Sequence, residues 1–304
     1  MTKKFYSNGK LLITGEYLVL DGAKAFAVPT KMGQDLIVAE TQKIGFIHWK
    51  SFDFDQSVWF EKNFDTAEII SNEFGEEEQS VATLLKQILF EAHKLNPTVL
   101  VNKGFSIETN LTFPKFWGLG TSSTLINNMA QWFEINAFEL LKNSFGGSGY
   151  DIANAQNNTP ITYQLLDGKP FVQQVQFQAD FKENLYFLYL NQKQDSKAAI
   201  AMYYSKQYAI QEVKENIEAI TNEILKGTNQ ERFEYLLQQH EAYMSAVLEM
   251  KTVKEKYFSD FEGTIKSLGA WGGDFVMVVS NSNPKNYFES KGFNTLLHYH
   301  EMIL

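Results

Sequence analysis

The sequence predicts an α+β fold with two lobes, on the strength of three observations. The first eighty residues consist mostly of short segments rich in β-forming residues, such as KLLITGEYLVL, DLIVAE, IGFIHW and SVWFE. Residues 196 to about 266 are instead charged and have a helical period. Three glycine-rich loops interrupt the chain, two before the helical region and one after it. The change from strands to helices places a boundary between residues 160 and 175, which divides the chain into domains 1–170 and 171–304.

The composition is that of a folded protein without thiol chemistry. Of the 304 residues, 44% are hydrophobic, which is enough for a sizeable core. The net charge is −9 and Arg232 is the only arginine, so no nucleic-acid-binding face is expected. The absence of cysteine excludes disulfides and thiolate catalysis. No segment resembles a signal peptide or a membrane span, so we expect a cytoplasmic protein, monomeric or homodimeric, with no membrane partner.

Local signals predict the individual elements. SVATLLKQILFEAHKL has helical spacing with Ser80 as its N-cap, and GFSIETNL reads as a strand. The helix after the first glycine loop is expected to bury Leu125, Met129, Phe133, Ala137 and Leu140 or Leu141. ITYQL, FVQQVQF and NLYFLYL predict strands, and Gly227 is expected to separate two helices. His298 and His300 are expected on one face of a strand in a structural role, because two ligands alone do not close a zinc shell.

The first glycine loop and the segment after it, FWGLGTSSTLINNMAQWF, have the features of an anion site. Glycine lets the backbone approach a ligand closely, and a helix N-terminus offers unpaired N–H groups. The dinucleotide-binding pattern does not fit, because residues 114–117 separate the preceding strand from the first glycine. The P-loop pattern lacks its Gly-Lys-Ser/Thr at the required spacing. The hydroxyls of residues 121–124 are compatible with helix capping and with phosphate binding, and the loop alone leaves both open.

Four short motifs together resemble those of the GHMP kinases, the superfamily of galactokinase, homoserine kinase, mevalonate kinase and phosphomevalonate kinase. They read NGKLLITGEYLVLDGAKAFA, PKFWGLGTSS, GSGYDIANA and LGAWGGD, and they run in this order from residue 8 to residue 274. Each motif alone has low specificity, whereas the ordered set covers most of the chain. GEYLVLDG, GSGYD (which overlaps GYDIA) and the GGD ending look most like phosphomevalonate and mevalonate kinases. The resemblance implies a ribosomal-S5-like N-terminal domain and a ferredoxin-like C-terminal domain.

The resemblance also implies that two of these loops bind the phosphates of ATP. The implied residues are Gly118, Leu119, Gly120, Thr121, Ser122 and Ser123 in one loop, and Gly269, Ala270, Gly272 and Gly273 in the other. Two departures from the family pattern affect these loops. Thr121 replaces the first serine of the usual pair and keeps its hydroxyl. Trp271 replaces a small residue, so its ring is expected to narrow the phosphate site or to stack near the nucleotide.

Two residues are implied as catalytic. Asp151 lies at the position of the family's catalytic aspartate, which orients or deprotonates the acceptor hydroxyl. Spacing alone would make it a turn or N-cap residue. Lys10 lies at the first-motif lysine, which in mevalonate-kinase-like members pairs with that aspartate and lowers the charge on the attacking oxygen. A solvated lysine at a strand end is the alternative.

The remaining implied residues concern Mg²⁺ and the acceptor. Ser122 lies where the family places an Mg²⁺-ligating serine. Glu139 lies near the position of an Mg²⁺-binding glutamate in mevalonate kinases, and it is also compatible with an ordinary helix surface. The substrate-contacting positions are Glu16, Tyr17, Ser148, Lys193, Ser196 and Lys197.

These inferences together predict an ATP- and Mg²⁺-dependent kinase acting on a small molecule, phosphomevalonate or mevalonate. Two alternatives remain open at this level. One is a decarboxylase-like relative, which phosphorylates and then fragments its substrate on the same scaffold. The other is a catalytically silent member that binds nucleotide or a partner protein.

Overall fold

A computed structural model of the chain describes residues 2–72, 80–192, 200–201, 203–205 and 210–304. The chain forms two compact units that alternate along the sequence. The first unit comprises Met1–Gly9, Met32–Lys115 and Leu119–Gln156, and the second comprises Lys10–Lys31, Phe116–Gly118 and Asn157–Leu304. The division into domains 1–170 and 171–304 stays a prediction about domain boundaries.

The first unit is built on antiparallel and parallel strand pairs. Its strands are the beginning of β1 (Thr2–Thr14), the end of β2 (Ala25–Thr41), β3 (Phe46–Phe52), β4 (Val58–Asp65) and β5 (Gly104–Leu111). They follow the order β4-β3-β5-β2, and β1 pairs with β2. Strands β3 and β5 are parallel, whereas β3–β4 and β2–β5 are antiparallel.

Helices supply the other layer of the first unit. They are α1 (Thr66–Ser71), α2 (Val81–Leu95), α3 (Thr121–Phe133), α4 (Ala137–Ser144) and α5 (Tyr150–Ala155). The prediction for α2 is confirmed, because the Ser80 side chain accepts a hydrogen bond from the Thr83 N–H. The single helix predicted after the glycine loop is two helices, since the chain turns at Glu134 with φ +58°. Ala137 and Leu140 are buried as expected, but on α4.

The second unit contains a hairpin region and an antiparallel sheet. The start of β2 pairs with β6 (Ile161–Leu166), which pairs with β7 (Lys169–Gln174). A four-stranded sheet has the order β11-β8-β10-β9. Its strands are β8 (Leu185–Tyr189), β9 (Thr264–Ser267), β10 (Phe275–Val279) and β11 (Leu296–His298). The helices are α6 (Ile210–Leu225), α7 (Gln230–Leu248), α8 (Val253–Tyr257), α9 (Lys285–Ser290) and α10 (Tyr299–Met302).

Two expectations about the second unit need correction. The helical region ends before residue 266, because α8 stops at Tyr257 and β9 follows. His298 and His300 do not share a strand face, since β11 ends at His298 and His300 belongs to α10. Gly227, with φ +90°, separates α6 from α7 as predicted.

The observed mixture of sheets and helices confirms the predicted α+β class. The finer assignment to ribosomal-S5-like and ferredoxin-like domains stays a prediction. Within the described ranges, every helix is too short or too polar to cross a membrane.

Candidate active site

In the first unit, the glycine loop ends at the beginning of α3. Gly120 occupies the N-cap position with φ +96°, and no side chain caps the helix. The backbone N–H groups of the first turn therefore lack the side-chain partner that many helices provide. Leu119 is fully buried and anchors the loop, while Ser122 in the first turn is exposed.

The hydroxyls after Gly120 have different surroundings. Ser123 Oγ donates to the Gly120 carbonyl over 2.9 Å. Thr124 is fully buried, and its hydroxyl donates to Gln34 Oε1 over 2.8 Å. The Ser122 hydroxyl makes no hydrogen bond with any described part of the chain. Helix capping is thus not the role of these hydroxyls, and Ser122 presents an oxygen ligand to solvent.

Two further predicted residues of the first unit lie around the start of α5. Gly149 caps this helix with φ +86°, and Asp151 lies in its first turn. Asp151 is therefore not an N-cap residue, and its side chain is partly exposed. Ser148 is buried just before the cap. The catalytic role of Asp151 and the substrate role of Ser148 stay predictions.

Glu139 lies in the first turn of α4 and is exposed. The Asn136 side chain caps this helix by accepting the Phe138 N–H over 2.8 Å. Among the described residues, Glu139 belongs to no group of three histidine or carboxylate ligands that converge on a point. Glu139 thus lies on an exposed helix surface, which the sequence had left open as the alternative to an Mg²⁺ site. Mg²⁺ binding by Glu139 stays a prediction.

In the second unit, Lys10 contacts the first glycine of the loop. Its Nζ donates to the Gly118 carbonyl over 3.3 Å. Gly118 has φ +70°, and a Cβ built on it would lie 2.2 Å from Cγ of Asp274. The Asp274 carboxylate therefore fills the space that any side chain at position 118 would need. Lys10, Gly118 and Asp274 form one packed group.

The GEY turn of the first motif lies in the same unit. Gly15 has φ +91°, and a Cβ there would come within 2.9 Å of Ala25. Tyr17 also has a positive φ, +60°, which is uncommon for a residue with a side chain. Its ring stacks on Tyr203, and its hydroxyl accepts the Trp271 N–H over 2.9 Å. Burial raises the pKa of Tyr17.

Glu16 belongs to a group of buried ionisable side chains that we call the buried charge cluster: Glu16, His240, Glu241 and Lys266. Lys266 Nζ donates to Glu16 Oε1 and lies 3.6 Å from Glu241 Oε1. His240 Nε2 lies 3.1 Å from Glu16 Oε2. Glu16, His240 and Lys266 have no exposed surface. The cluster joins the GEY turn to α7 and β9. The Glu16 carboxylate contacts Lys266 and His240 rather than solvent, and its predicted substrate contact stays a prediction.

Burial and charge act against each other in this cluster. Burial alone would raise the pKa of Glu16, but Lys266 and His240 outweigh it and hold that pKa below its ordinary value. Burial raises the pKa of Glu241 to about 7, although Lys266 opposes the shift. Burial and then the charge of Lys266 lower the pKa of His240. The cluster therefore favours an ionised Glu16, a neutral His240 and a Glu241 that titrates near neutrality.

His240 Nε2 has two close polar neighbours. The Gly15 N–H points at it over 3.1 Å, and Glu16 Oε2 also lies 3.1 Å away. Glu16 Oε2 and His240 Nδ1 are buried without a hydrogen bond to any described atom. Each unsatisfied buried polar group costs roughly 1–3 kcal/mol, so the turn is held at a cost that other contacts must offset.

The last glycine loop, Gly269 to Gly273, follows β9. Gly269 and Gly272 have φ +68° and +83°. Among the described residues, no atom beyond the chain neighbours of Gly269 lies within 4 Å of a Cβ built on it. The Trp271 ring is buried, and its indole N–H donates to the Lys251 carbonyl over 3.3 Å. The departure from a small residue at 271 is thus accommodated by burial of the ring within the unit.

Three predicted acceptor residues, Lys193, Ser196 and Lys197, lie outside the described residues. Sequence reasoning missed Lys266, His240, Glu241 and Asp274. The available signal was a lysine inside TIKS, a four-residue segment in which every side chain is buried. The predicted helical region runs to about residue 266 and covers most of this segment, and a helical lysine in a charged region indicates a solvent-facing position.

Comparison with solved structures finds similar folds over nearly the whole chain. The mevalonate kinase of Methanococcus jannaschii has a TM-score of 0.68 at 16% identity, with 97% of this chain and 96% of that chain covered. The Streptococcus pneumoniae phosphomevalonate kinase in complex with phosphomevalonate and AMPPNP has a TM-score of 0.69 at 15% identity, covering 97% and 99%. The Lactococcus lactis galactokinase complexed with galactose has a TM-score of 0.69 at 13% identity, covering 95% and 88%.

The other comparisons find no match, either to a protein-family model or to a curated protein. At identities of 13% to 16%, the structural likeness establishes the fold. That fold agrees with the four ordered motifs in the sequence. The chain therefore has the fold of the GHMP kinases.

Proposed function

We propose that this protein is an ATP-dependent kinase that phosphorylates a small molecule. The observation that carries the proposal is the beginning of α3. A helix of 13 residues starts there after a glycine cap, without a side-chain cap and with an exposed hydroxyl in its first turn. Unpaired N–H groups and the positive end of a helix dipole favour a phosphate.

The residues present fit Mg-ATP. Mg²⁺ takes oxygen ligands and keeps several waters, so one exposed hydroxyl, that of Ser122, is a suitable protein ligand. The backbone at Gly269 has no side chain of its own and no described atom crowding its Cβ position, which suits close approach of a phosphate. When bound, Mg-ATP supplies the phosphoryl group and neutralises part of its charge. Because the Trp271 ring is buried, contact with the phosphates in this loop falls to Gly269, Ala270, Gly272 and Gly273.

The chain's own residues have positioning and proton-handling roles in this proposal. Asp151 orients the acceptor hydroxyl or accepts its proton. Lys10 stabilises negative charge on the attacking oxygen. The buried charge cluster holds the GEY turn through Glu16, and Trp271 holds Tyr17, so the turn is fixed before any ligand binds. This arrangement suits a reaction in which positioning and electrostatics supply most of the catalysis.

We propose an acceptor of the mevalonate branch, phosphomevalonate ahead of mevalonate. The GEYLVLDG, GSGYD and GGD motifs support this choice. The only arginine does not contribute to an acceptor site, because exposed Arg232 is paired with Glu223 over 2.6 Å and 2.9 Å. Lysines and backbone N–H groups must then hold the acceptor's anionic groups. Lysine binds phosphate adequately as a point charge.

An acceptor panel tests the proposal. Purified protein with Mg-ATP is mixed with phosphomevalonate, mevalonate or galactose, and both ADP release and product mass are measured. A phosphorylated acceptor of intact mass supports the kinase. A fragmented product would indicate a decarboxylase-like relative. Mg-ATP binding without ADP release for any acceptor would favour a silent nucleotide-binding protein.

A further inference from the structure

Three side chains of types that can bind a metal, Glu183, His298 and His300, converge in the second unit. His300 Nε2 lies 2.7 Å from Glu183 Oε1, and His298 Nε2 lies 3.4 Å from Glu183 Oε2. Both imidazoles thus contact the same carboxylate. The two rings stack at 5.3 Å with an angle of 29° between their planes. One ligand atom from each of the three residues lies within 4.8 Å of the others.

Backbone structure holds these side chains together. Glu183 lies in the 3-10 turn Lys182–Asn184, immediately before β8. Antiparallel pairing of β11 with β8 places His298 opposite Tyr186. His298 then caps α10, with the Glu301 carboxylate accepting the His298 N–H over 2.7 Å. The ligands are therefore positioned by paired strands and a capped helix rather than by a long loop.

We propose that Glu183, His298 and His300 bind a divalent transition-metal ion of the zinc type. Two imidazoles and a carboxylate are ligands that Zn²⁺ accepts, and they leave a position for water. The side-chain exposures of 74% for Glu183 and 56% for His300 allow solvent to reach that position. Tetrahedral bonds of roughly 2.0–2.2 Å separate ligand atoms by about 3.4 Å. Side-chain rotations must therefore lengthen the 2.7 Å contact between His300 and Glu183 and adjust ligand atoms that now lie within 4.8 Å of one another.

Binding has a definite cost at His298. The His300 N–H donates to His298 Nδ1 over 3.4 Å, a long hydrogen bond. His298 Nε2 then shares its proton with the Glu183 carbonyl at 2.9 Å. An ion on Nε2 requires this proton to move to Nδ1 and the long hydrogen bond to break. His300 has no such constraint, because its Nε2 contacts only the carboxylate among the bonds described for it.

The surrounding charges do not select for a cation by themselves. The carboxylates of Glu183 and Glu301 border the site, but so do two ammonium groups. Lys31 Nζ donates to the His300 carbonyl over 2.5 Å, and Lys182 Nζ lies over the Tyr299 ring at 5.4 Å. Affinity must therefore come from the coordinate bonds, which predicts zinc binding that survives added salt and is not replaced by Mg²⁺.

Zinc titration of the full chain tests the site. Protein stripped with a chelator competes with a chromophoric indicator for Zn²⁺, in the presence of excess Mg²⁺. We expect the wild type to bind one more equivalent of Zn²⁺ than the His298→Ala, His300→Ala double variant. Co²⁺ in the wild type is expected to give a visible absorption band that the double variant lacks.

His48 provides a matched control. It is an exposed histidine on β3 whose Nε2 lies 2.9 Å from Glu61 Oε1, so it has a carboxylate partner but no second imidazole among its described contacts. His48→Ala is expected to leave the zinc equivalents unchanged. Equal Zn²⁺ binding by the wild type and the double variant would overturn the proposal. The result does not depend on kinase activity, so the two proposals succeed or fail separately.

Discussion

Ser122 and Ser123 are adjacent residues with the same side chain and different surroundings. The Ser123 hydroxyl is buried and bonded to the Gly120 carbonyl, whereas the Ser122 hydroxyl is exposed. We expect Ser122→Ala to change the free energy of unfolding by less than about 0.5 kcal/mol, as is usual at exposed sites. The same change is expected to weaken the Mg²⁺ dependence of ATP use.

Ser123→Ala is the matched control for this prediction. Losing its buried hydrogen bond is expected to cost about 1 kcal/mol of stability. Urea unfolding and Mg²⁺ titrations of ATP turnover measure the two effects. Unchanged Mg²⁺ dependence in Ser122→Ala would remove Ser122 from the metal site.

Glu241 makes a second residue-scale prediction, about pH. Its pKa is raised from 4.5 to about 7, so between these values the folded protein holds a proton that the unfolded chain has released. Stability from this group is therefore complete below pH 4.5 and is lost as the pH rises through 7. His240 has the opposite effect on stability. Because burial lowers its folded-state pKa, its contribution to stability is lost as the pH falls below the ordinary pKa of 6.5. The two contributions partly cancel in the wild type.

Comparing the stability of the wild type with that of Glu241→Gln separates the contribution of Glu241 from that of His240. Glutamine keeps the shape of the protonated carboxyl: its oxygen can accept the Ser267 N–H, and its amide N–H can donate to Ser267 Oγ. At about 1.4 kcal/mol per pKa unit, the wild type is expected to lose about 3 kcal/mol relative to the variant between pH 4.5 and 7. Urea unfolding across this range measures the difference. A difference that stays constant with pH would show that Glu241 ionises normally.

At the scale of elements, the loop before α3 depends on glycine at position 118. Gly118 has φ +70° and faces the Asp274 carboxylate, whereas Gly168 in the β6–β7 turn has φ +72° and no described atom within 4 Å of its Cβ position. Gly168→Ala is expected to cost roughly 1–2 kcal/mol, the penalty of a left-handed residue. Gly118→Ala is expected to cost about 1–3 kcal/mol more, because Asp274 must be displaced.

Unfolding free energies of the two variants check this prediction. Adding Asp274→Gly to Gly118→Ala is expected to recover the extra loss, since it removes the displaced carboxylate. Equal losses in Gly118→Ala and Gly168→Ala would mean that the contact with Asp274 does not constrain the loop.

Elements with a local signal could be predicted from the sequence. Helix α2 and its Ser80 cap are examples, because apolar spacing and the capping hydroxyl lie in one short segment. The break between α3 and α4 was missed, since Glu134 adopts a left-handed turn that its residue type does not favour. The buried charge cluster was also missed, because its members come from positions 16, 240, 241 and 266. Only folding brings them together.

At the scale of the whole molecule, the fold and the motif order agree with each other. Structures of kinases for mevalonate, phosphomevalonate and galactose resemble this chain almost equally, with TM-scores of 0.68 to 0.69. The fold therefore does not select the acceptor, and acceptor choice depends on individual side chains. The proposal about the acceptor therefore depends on motif residues and on the placement of Arg232 rather than on overall similarity.

The central claim is that the chain transfers phosphate from ATP with Asp151 acting on the acceptor hydroxyl. The most direct test measures acceptor-dependent ADP formation by the wild type and by Asp151→Asn, together with Mg-ATP affinity and the melting temperature of each. We predict that the variant folds, binds Mg-ATP as the wild type does, and loses turnover by roughly 10²–10⁴-fold, the usual contribution of a positioned acid or base. Near-normal turnover in a folded Asp151→Asn protein would contradict the claim.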